Sequence, residues 1–218
     1  MKTNEQLQRD VIDELKWDPL ISASEIGVSA KEGVVTLSGY VDSFSKKYAA
    51  EKAAKRVNGV QAVAEDIEVR LTNGLARHDD TAIAATILNA FKWNSLVPES
   101  QLKIKVDDSW VTLEGTVDWQ FQKDAAYKAV RDISGIRGVS NLINLKPQLE
   151  KTDIERTIRQ ALQRRANVNA DNIRVRTEGG KVILSGKAST WYERQEVEKA
   201  VWASPGVTEV DDNISISV

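Results

Sequence analysis

The chain contains no cysteine and one histidine, His78, in 218 residues. Without cysteine there are no disulfides, no thiolate nucleophile and no cysteine-ligated zinc, and the redox compartment stays open. One imidazole excludes most histidine-rich metal sites. Charge of a single sign is also missing: 30 Lys and Arg face 32 Asp and Glu, for a net charge of −2. No global positive field exists to draw in a polyanion, so nucleic acid is not an expected partner. No apolar run approaches the roughly 20 residues that a bilayer-spanning helix needs, and mean hydropathy is −0.37, so the chain is not expected to be transmembrane. The N-terminus lacks the apolar stretch of roughly 7–15 residues of an export signal. As written the product is expected in the cytoplasm, or in the periplasm if such a signal has been removed. What is present is the balance of a folded protein, 41% hydrophobic and 28% charged,.

That composition is arranged as one unit written three times. Gly33-Val34-Val35-Thr36-Leu37-Ser38-Gly39 recurs as Ser109-Trp110-Val111-Thr112-Leu113-Glu114-Gly115 and as Gly180-Lys181-Val182-Ile183-Leu184-Ser185-Gly186, at offsets of 76 and 71 residues,. The same offsets relate Leu7/Val11/Leu15 to Ile83/Ile87/Phe91 and Ile154/Ile158/Leu162, and Gly59 to Gly135 and Gly206. The difference between the offsets falls between Leu145 and Ile154, so the units carry no internal gap. Units of about 73 residues lie near the small end of what folds alone, and three small domains in tandem are expected rather than one large core. Linkers are expected at Thr72-Asn73-Gly74-Leu75 and around Lys146-Pro147-Gln148, where turn formers interrupt the pattern,.

Within each unit the first segment places apolar residues at i, i+4 and i+8, the stripe of an amphipathic helix. Thr3 to Gln6 and Thr152 to Glu155 fit capping boxes, and Asp79-Asp80 can cap the second unit,. Ile26/Val28 and Val35/Leu37 alternate across Lys31-Glu32-Gly33 as a hairpin, and the third unit turns at Glu178-Gly179-Gly180,. A second helix is expected from Ser45 to Val57, with Ala49, Ala50, Ala53 and Ala54 allowing close approach to a sheet. Gly59 is expected to end it as a left-handed cap, and Val63 to Val69 to form a last strand,. The fold class is therefore α+β: three tandem α-β-β-α-β domains, each a three-stranded mixed sheet with two helices on one face, joined by a right-handed crossover.

The run Val35-Thr36-Leu37-Ser38-Gly39, the pair Gly59-Val60 twenty residues later and the final apolar-x-apolar strand resemble the BON domain. The resemblance covers the chain as three domains, residues 1–71, 77–146 and 152–218. It implies the fold above, no catalytic residues or cofactor, and contact with anionic phospholipid surfaces or envelope proteins, often under osmotic stress. Many members are exported or lipid-anchored, whereas the sequence as written shows neither a signal nor a lipidation cysteine, which makes the cytoplasm the expected setting unless a signal has been removed. A chaperone-like or protein-interaction module of the envelope is the alternative that the resemblance leaves open.

Candidate residues divide into structural and surface-presenting ones. His78 beside Asp79 and Asp80 reads as a solvated helix start,. Asp107-Asp108 and Asp211-Asp212 read as turn and strand-edge residues. Gly135-Ile136-Arg137-Gly138 and Gly179-Gly180 precede strands and read as turns rather than phosphate loops,. Ser38 has Glu114 and Ser185 as counterparts, a change of chemistry unfit for a nucleophile,. Gly39, Gly115 and Gly186, with Gly59, Gly135 and Gly206, are the structural glycines of the motif. Lys46, Lys47, Lys52, Lys55 and Arg56 accompany Tyr48 on the second helix of the first unit, with Glu51 the sole acid inside the span. They form either an anionic-lipid contact or, on the plainer reading, a solvated face opposite the alanine stripe. Trp119, Trp191 and Trp202 occupy second-helix positions whose counterparts are polar or charged, which marks inter-unit or partner contacts. Trp17 and Trp93, matching positions at the end of the first helix, are expected at the edge of the core.

Overall fold

In each unit the sheet is built around its middle strand, because only that strand has partners on both sides. The computed structural model describes residues 2–71, 79–146, 153–165 and 168–216. Its helices are α1 (Asn4–Trp17), α2 (Phe44–Arg56), α3 (Asp80–Trp93), α4 (Gln120–Arg131), α5 (Ile154–Gln163) and α6 (Trp191–Trp202). Its strands are β1 (Ile26–Lys31), β2 (Val34–Val41), β3 (Ala62–Val69), β4 (Leu102–Asp107), β5 (Trp110–Val117), β6 (Gly138–Leu145), β7 (Ile173–Glu178), β8 (Lys181–Ala188) and β9 (Glu209–Ile216). Three sheets result, ordered β1-β2-β3, β4-β5-β6 and β7-β8-β9, each with an antiparallel hairpin and a parallel last strand. This is the α+β repeat expected from the sequence.

Register explains why one face is dry. Val35, Leu37 and Val41 are buried and alternate with exposed or half-buried neighbours on β2, and the register sets Val41 beside Val69 and Gly39 beside Ile67 of β3. Leu7, Val11 and Leu15 of α1 and the stripe Ala50, Ala53, Ala54 of α2 cover that face as one buried cluster. The second and third units repeat the cluster around Ile87, Leu113 and Ile143, and around Ile158, Leu184 and Ile214. The core is therefore three cores.

Helix starts follow the sequence with two corrections. Thr3 and Gln6 form the expected capping box. Asp79 caps α3, accepting from the Thr81 N–H, but Asp80 instead accepts from the Asp108 and Ser109 N–H groups, both at 2.9 Å. Those two residues have positive φ of 48° and 63°, at hairpin positions that a glycine would occupy with less strain,, and the carboxylate holds the turn closed. At α5 the cap is Asp153, accepting from the Arg156 N–H; Thr152 lies outside the described residues. Also outside them are His78, the first expected linker and, in the second, Pro147 and Gln148. The second helix starts at Phe44 and ends at Arg56, and Gly59, with φ of 98°, shapes the turn beyond the extended cap Val57 rather than the cap itself.

Gly39, Gly115 and Gly186 share a backbone requirement. Their φ values are 128°, 138° and 127°, and a Cβ at each would run into the carbonyl oxygen of Glu25, Gln101 or Asn172 respectively. The middle strand can pass that turn only as glycine.

Candidate functional site

The basic stretch of α2 meets more acid than its own span contains, because tertiary packing delivers it. Lys46 pairs with Asp42 at 2.6 Å, and Arg56 reaches Glu14 at 2.8 Å and Asp18 at 3.7 Å on the first helix and its cap. Lys47 donates to the Ile67 carbonyl at 2.8 Å and lies 3.9 Å from Glu65, and Lys55 pairs with Glu51. The hydrogen bond from Lys46 holds the Asp42 carboxyl below its ordinary range, while burial pushes Glu65 up. Among the named cations, Lys52 has no ion-pair partner among the described residues.

Tyr48, Lys52, Trp119 and Trp202 come together where α2, α4 and α6 meet, in a cavity of about 730 Å³. The helices touch through aromatic and cationic groups. Tyr48 and Tyr127 meet edge to face with centroids 6.2 Å apart, and the Arg131 guanidinium lies 4.3 Å over the Tyr48 ring,. Trp191 packs against the core of the first unit, with the Lys55 ammonium 5.5 Å and the Arg194 guanidinium 4.9 Å from its ring centre. Phe44 of α2 packs in turn against the core of the second unit. Trp191 thus reaches across units, as does Phe44, its counterpart in α2, which is aromatic rather than polar or charged, whereas Trp202, opposite Lys55 and Arg131 in the other copies, packs against the core of its own unit while lining the cavity.

Trp17 and Trp93 lie elsewhere, and the expectation of core edge is overturned. They are 84% and 88% exposed. Leu20 and Leu96, which the sequence reading passed over, are exposed at 63% and 54%. The local cause is an Asx turn at the helix end. Asp18 Oδ1 accepts from the Leu20 N–H and Asn94 Oδ1 from the Leu96 N–H, both at 3.1 Å, which turns the leucines outward, while Trp17 and Trp93, two residues past Leu15 and Phe91 within their helices, already stand off the buried stripe,. The available signal was the twice-written Trp-x-x-Leu just past the buried stripe, Trp17-Asp18-Pro19-Leu20 and Trp93-Asn94-Ser95-Leu96. In the third unit Arg164 stands where the other two have tryptophan.

Among the described residues no group of three or more His, Asp or Glu side chains is placed to hold a metal ion, and no helix is long and apolar enough to cross a membrane.

The BON domain family model matches residues 3–70, 79–147 and 150–217. Osmotically-inducible protein Y of Escherichia coli (strain K12) is 34% identical over 131 residues, 58% of this chain and 64% of that protein's length. Two solved structures of CdsD, a structural protein of the type III secretion system of Chlamydia trachomatis, align over 96% and 100% of this chain and 91% and 100% of theirs. Their identities are 13% and 12% and both TM-scores 0.28, too low to carry any argument.

Proposed function

Because the chain belongs to the BON domain family, we propose that it is a stress-associated envelope protein that binds rather than catalyses, and that it contacts phospholipid membrane surfaces. The observation that carries this reading is the pair of tips, Trp17 with Leu20 and Trp93 with Leu96. A tryptophan left almost wholly in water costs solubility and contributes nothing to its own core. Twice placed at the same position, next to a leucine, it has the amphipathic body that settles at the headgroup level of a bilayer. Lys16 and Lys92 precede the tryptophans directly, where a cation gains from an anionic surface,. The relative's name, osmotically-inducible, supports the stress setting. The cations of α2 are a secondary contact in this reading, since acidic partners already meet most of them.

Co-sedimentation with vesicles of phosphatidylglycerol and phosphatidylcholine tests it. Binding to the anionic vesicles at low salt is expected. Trp17→Ser with Trp93→Ser should lower it by at least about tenfold, since burying an aromatic side chain is worth ~1.5–3 kcal/mol. Absence of binding by the unaltered protein, or full binding by the double variant, overturns the assignment. Capture of a model client protein without any lipid would favour the protein-interaction alternative instead.

A further inference from the structure

The cavity between α2, α4 and α6 is a different surface from the Trp17 tip, and its lining is unusual in carrying three kinds of chemistry at once. Its walls are aromatic, from Trp119 and Phe121 at the start of α4, Tyr127 further along it and Trp202 at the end of α6. A smaller hollow of about 460 Å³ shares Phe121, Asp124 and Lys128 with it and continues over α4 to Leu96. Together they form an elongated groove with an apolar path, and the main cavity alone lies within the ~300–1,000 Å³ of small-molecule sites.

Hydrogen-bond acceptors are gathered at one place in that groove. Gln120 donates its amide to Asp124 Oδ1 at 2.9 Å, which leaves Gln120 Oε1 buried and without a partner among the described residues. That oxygen faces away from the groove, so Gln120 serves it by orienting Asp124. Burial holds the Asp124 carboxyl above its ordinary range, with the Gln120 bond opposing. Glu198 lies on the α6 side, accepting from the Trp202 indole N–H at 3.3 Å. Acceptors beside aromatic rings suit an ammonium group, which hydrogen-bonds to the former and is attracted by the faces of the latter. Cations are present as well. Arg131 is held by Asp132 and Lys199 by Glu196, whereas Lys52 and Lys128 line the groove with no ion-pair partner among the described residues. A free lysine pair suits a phosphate.

We propose that this groove binds a single-chain zwitterionic phospholipid, its ammonium at Asp124, which Gln120 orients, its phosphate at Lys52 and Lys128, and its acyl chain along Trp119 and Phe121 toward Leu96. A purely anionic amphiphile leaves the acceptor cluster unanswered. A purely cationic one leaves the lysines so. The zwitterion answers both, and three units contribute to a site that no single unit contains.

The test is calorimetric titration of the whole chain with lysophosphatidylethanolamine and, separately, lysophosphatidylglycerol, both below the concentration at which they form micelles. Saturable binding of one lysophosphatidylethanolamine per chain is expected, with lysophosphatidylglycerol weaker by about tenfold or more, the scale of one hydrogen bond to a charged group. Asp124→Asn should weaken the first lipid and leave the second unchanged, while Lys52→Ala with Lys128→Ala should weaken both; these lysines are exposed, so the fold tolerates their loss. Trp17→Ser should leave the titration unaltered, which separates the groove from the tip of the first unit. Non-saturable uptake, equal affinity for the two lipids, or indifference to both groove variants overturns the proposal, as does loss of binding in the tip variant.

Discussion

At the scale of single residues the three units expose the same constraint at different positions. Gly186 is held at a φ of 127° against the Asn172 carbonyl. Gly186→Ala is expected to cost more than ~2 kcal/mol, beyond the roughly 1–2 kcal/mol of a left-handed backbone alone, because the carbonyl belongs to rigid backbone. Denaturant titration with a probe in the third unit checks it. Carboxylates divide by environment. The Lys199 hydrogen bond holds Glu196 below its ordinary range against the opposing effect of burial, and Arg165 adds to the lowering. Its contribution is present above the ordinary carboxylate range and is lost as pH falls through the depressed pKa. Glu196→Gln should cost about 0.5 kcal/mol at neutral pH, and the difference from the parent should vanish in acid. Glu65 has the opposite sign: burial raises it, so its ionisation works against the folded state as pH rises,. Glu65→Gln should raise the melting temperature at neutral pH and have no effect in acid.

At the scale of elements, what matters is which helix supplies which surface. The first helix of each unit is an ordinary amphipathic element, and its buried stripe was evident from spacing. Its end follows from spacing too, since Trp17 stands two residues past Leu15, about 200° round the helix and off the buried stripe, and the Asx turn at Asp18 then carries Leu20 outward. The second helices do two jobs. One side of α2 closes its own core through Ala50, Ala53 and Ala54, and the other meets its neighbours through Tyr48 and Lys55. α6 reaches the first unit through Trp191. Trp191→Ala removes the ring that both Lys55 and Arg194 face, and it should destabilise the first unit by about 2 kcal/mol, below the ~3–5 kcal/mol for truncating a fully buried aromatic, because this ring is only partly buried. Hydrogen exchange of the α2 amides gives the readout, and unchanged protection there would refute the contact.

The whole molecule is three small cores joined through side chains rather than by a shared sheet. Cooperativity should therefore be incomplete. In scanning calorimetry the total unfolding enthalpy is expected to exceed the van't Hoff value, the mark of more than one cooperative unit, and Trp191→Ala should separate the transitions further. A single two-state transition in both proteins would mean that the inter-unit contacts are stronger than rings and cations at 4–6 Å suggest. The groove belongs to this scale too, because Tyr48, Tyr127 and Trp202 come from three different units.

Periodicity alone determined the repeat, the order of elements, the buried stripes and the glycine turns, since each follows from interactions within about ten residues or from a pattern that a pleated strand or helix imposes locally. Neutralisation of the α2 cations, the orphaned Gln120 acceptor and the three-helix groove were decided only by tertiary structure. Asp42 aside, the acids that meet those cations from outside α2 come from distant elements, Glu14 and Asp18 from the first helix and its cap and Glu65 from the last strand. Charge and exposure depend on distance in space, and for groups that far apart along the chain it is the packed fold that sets that distance.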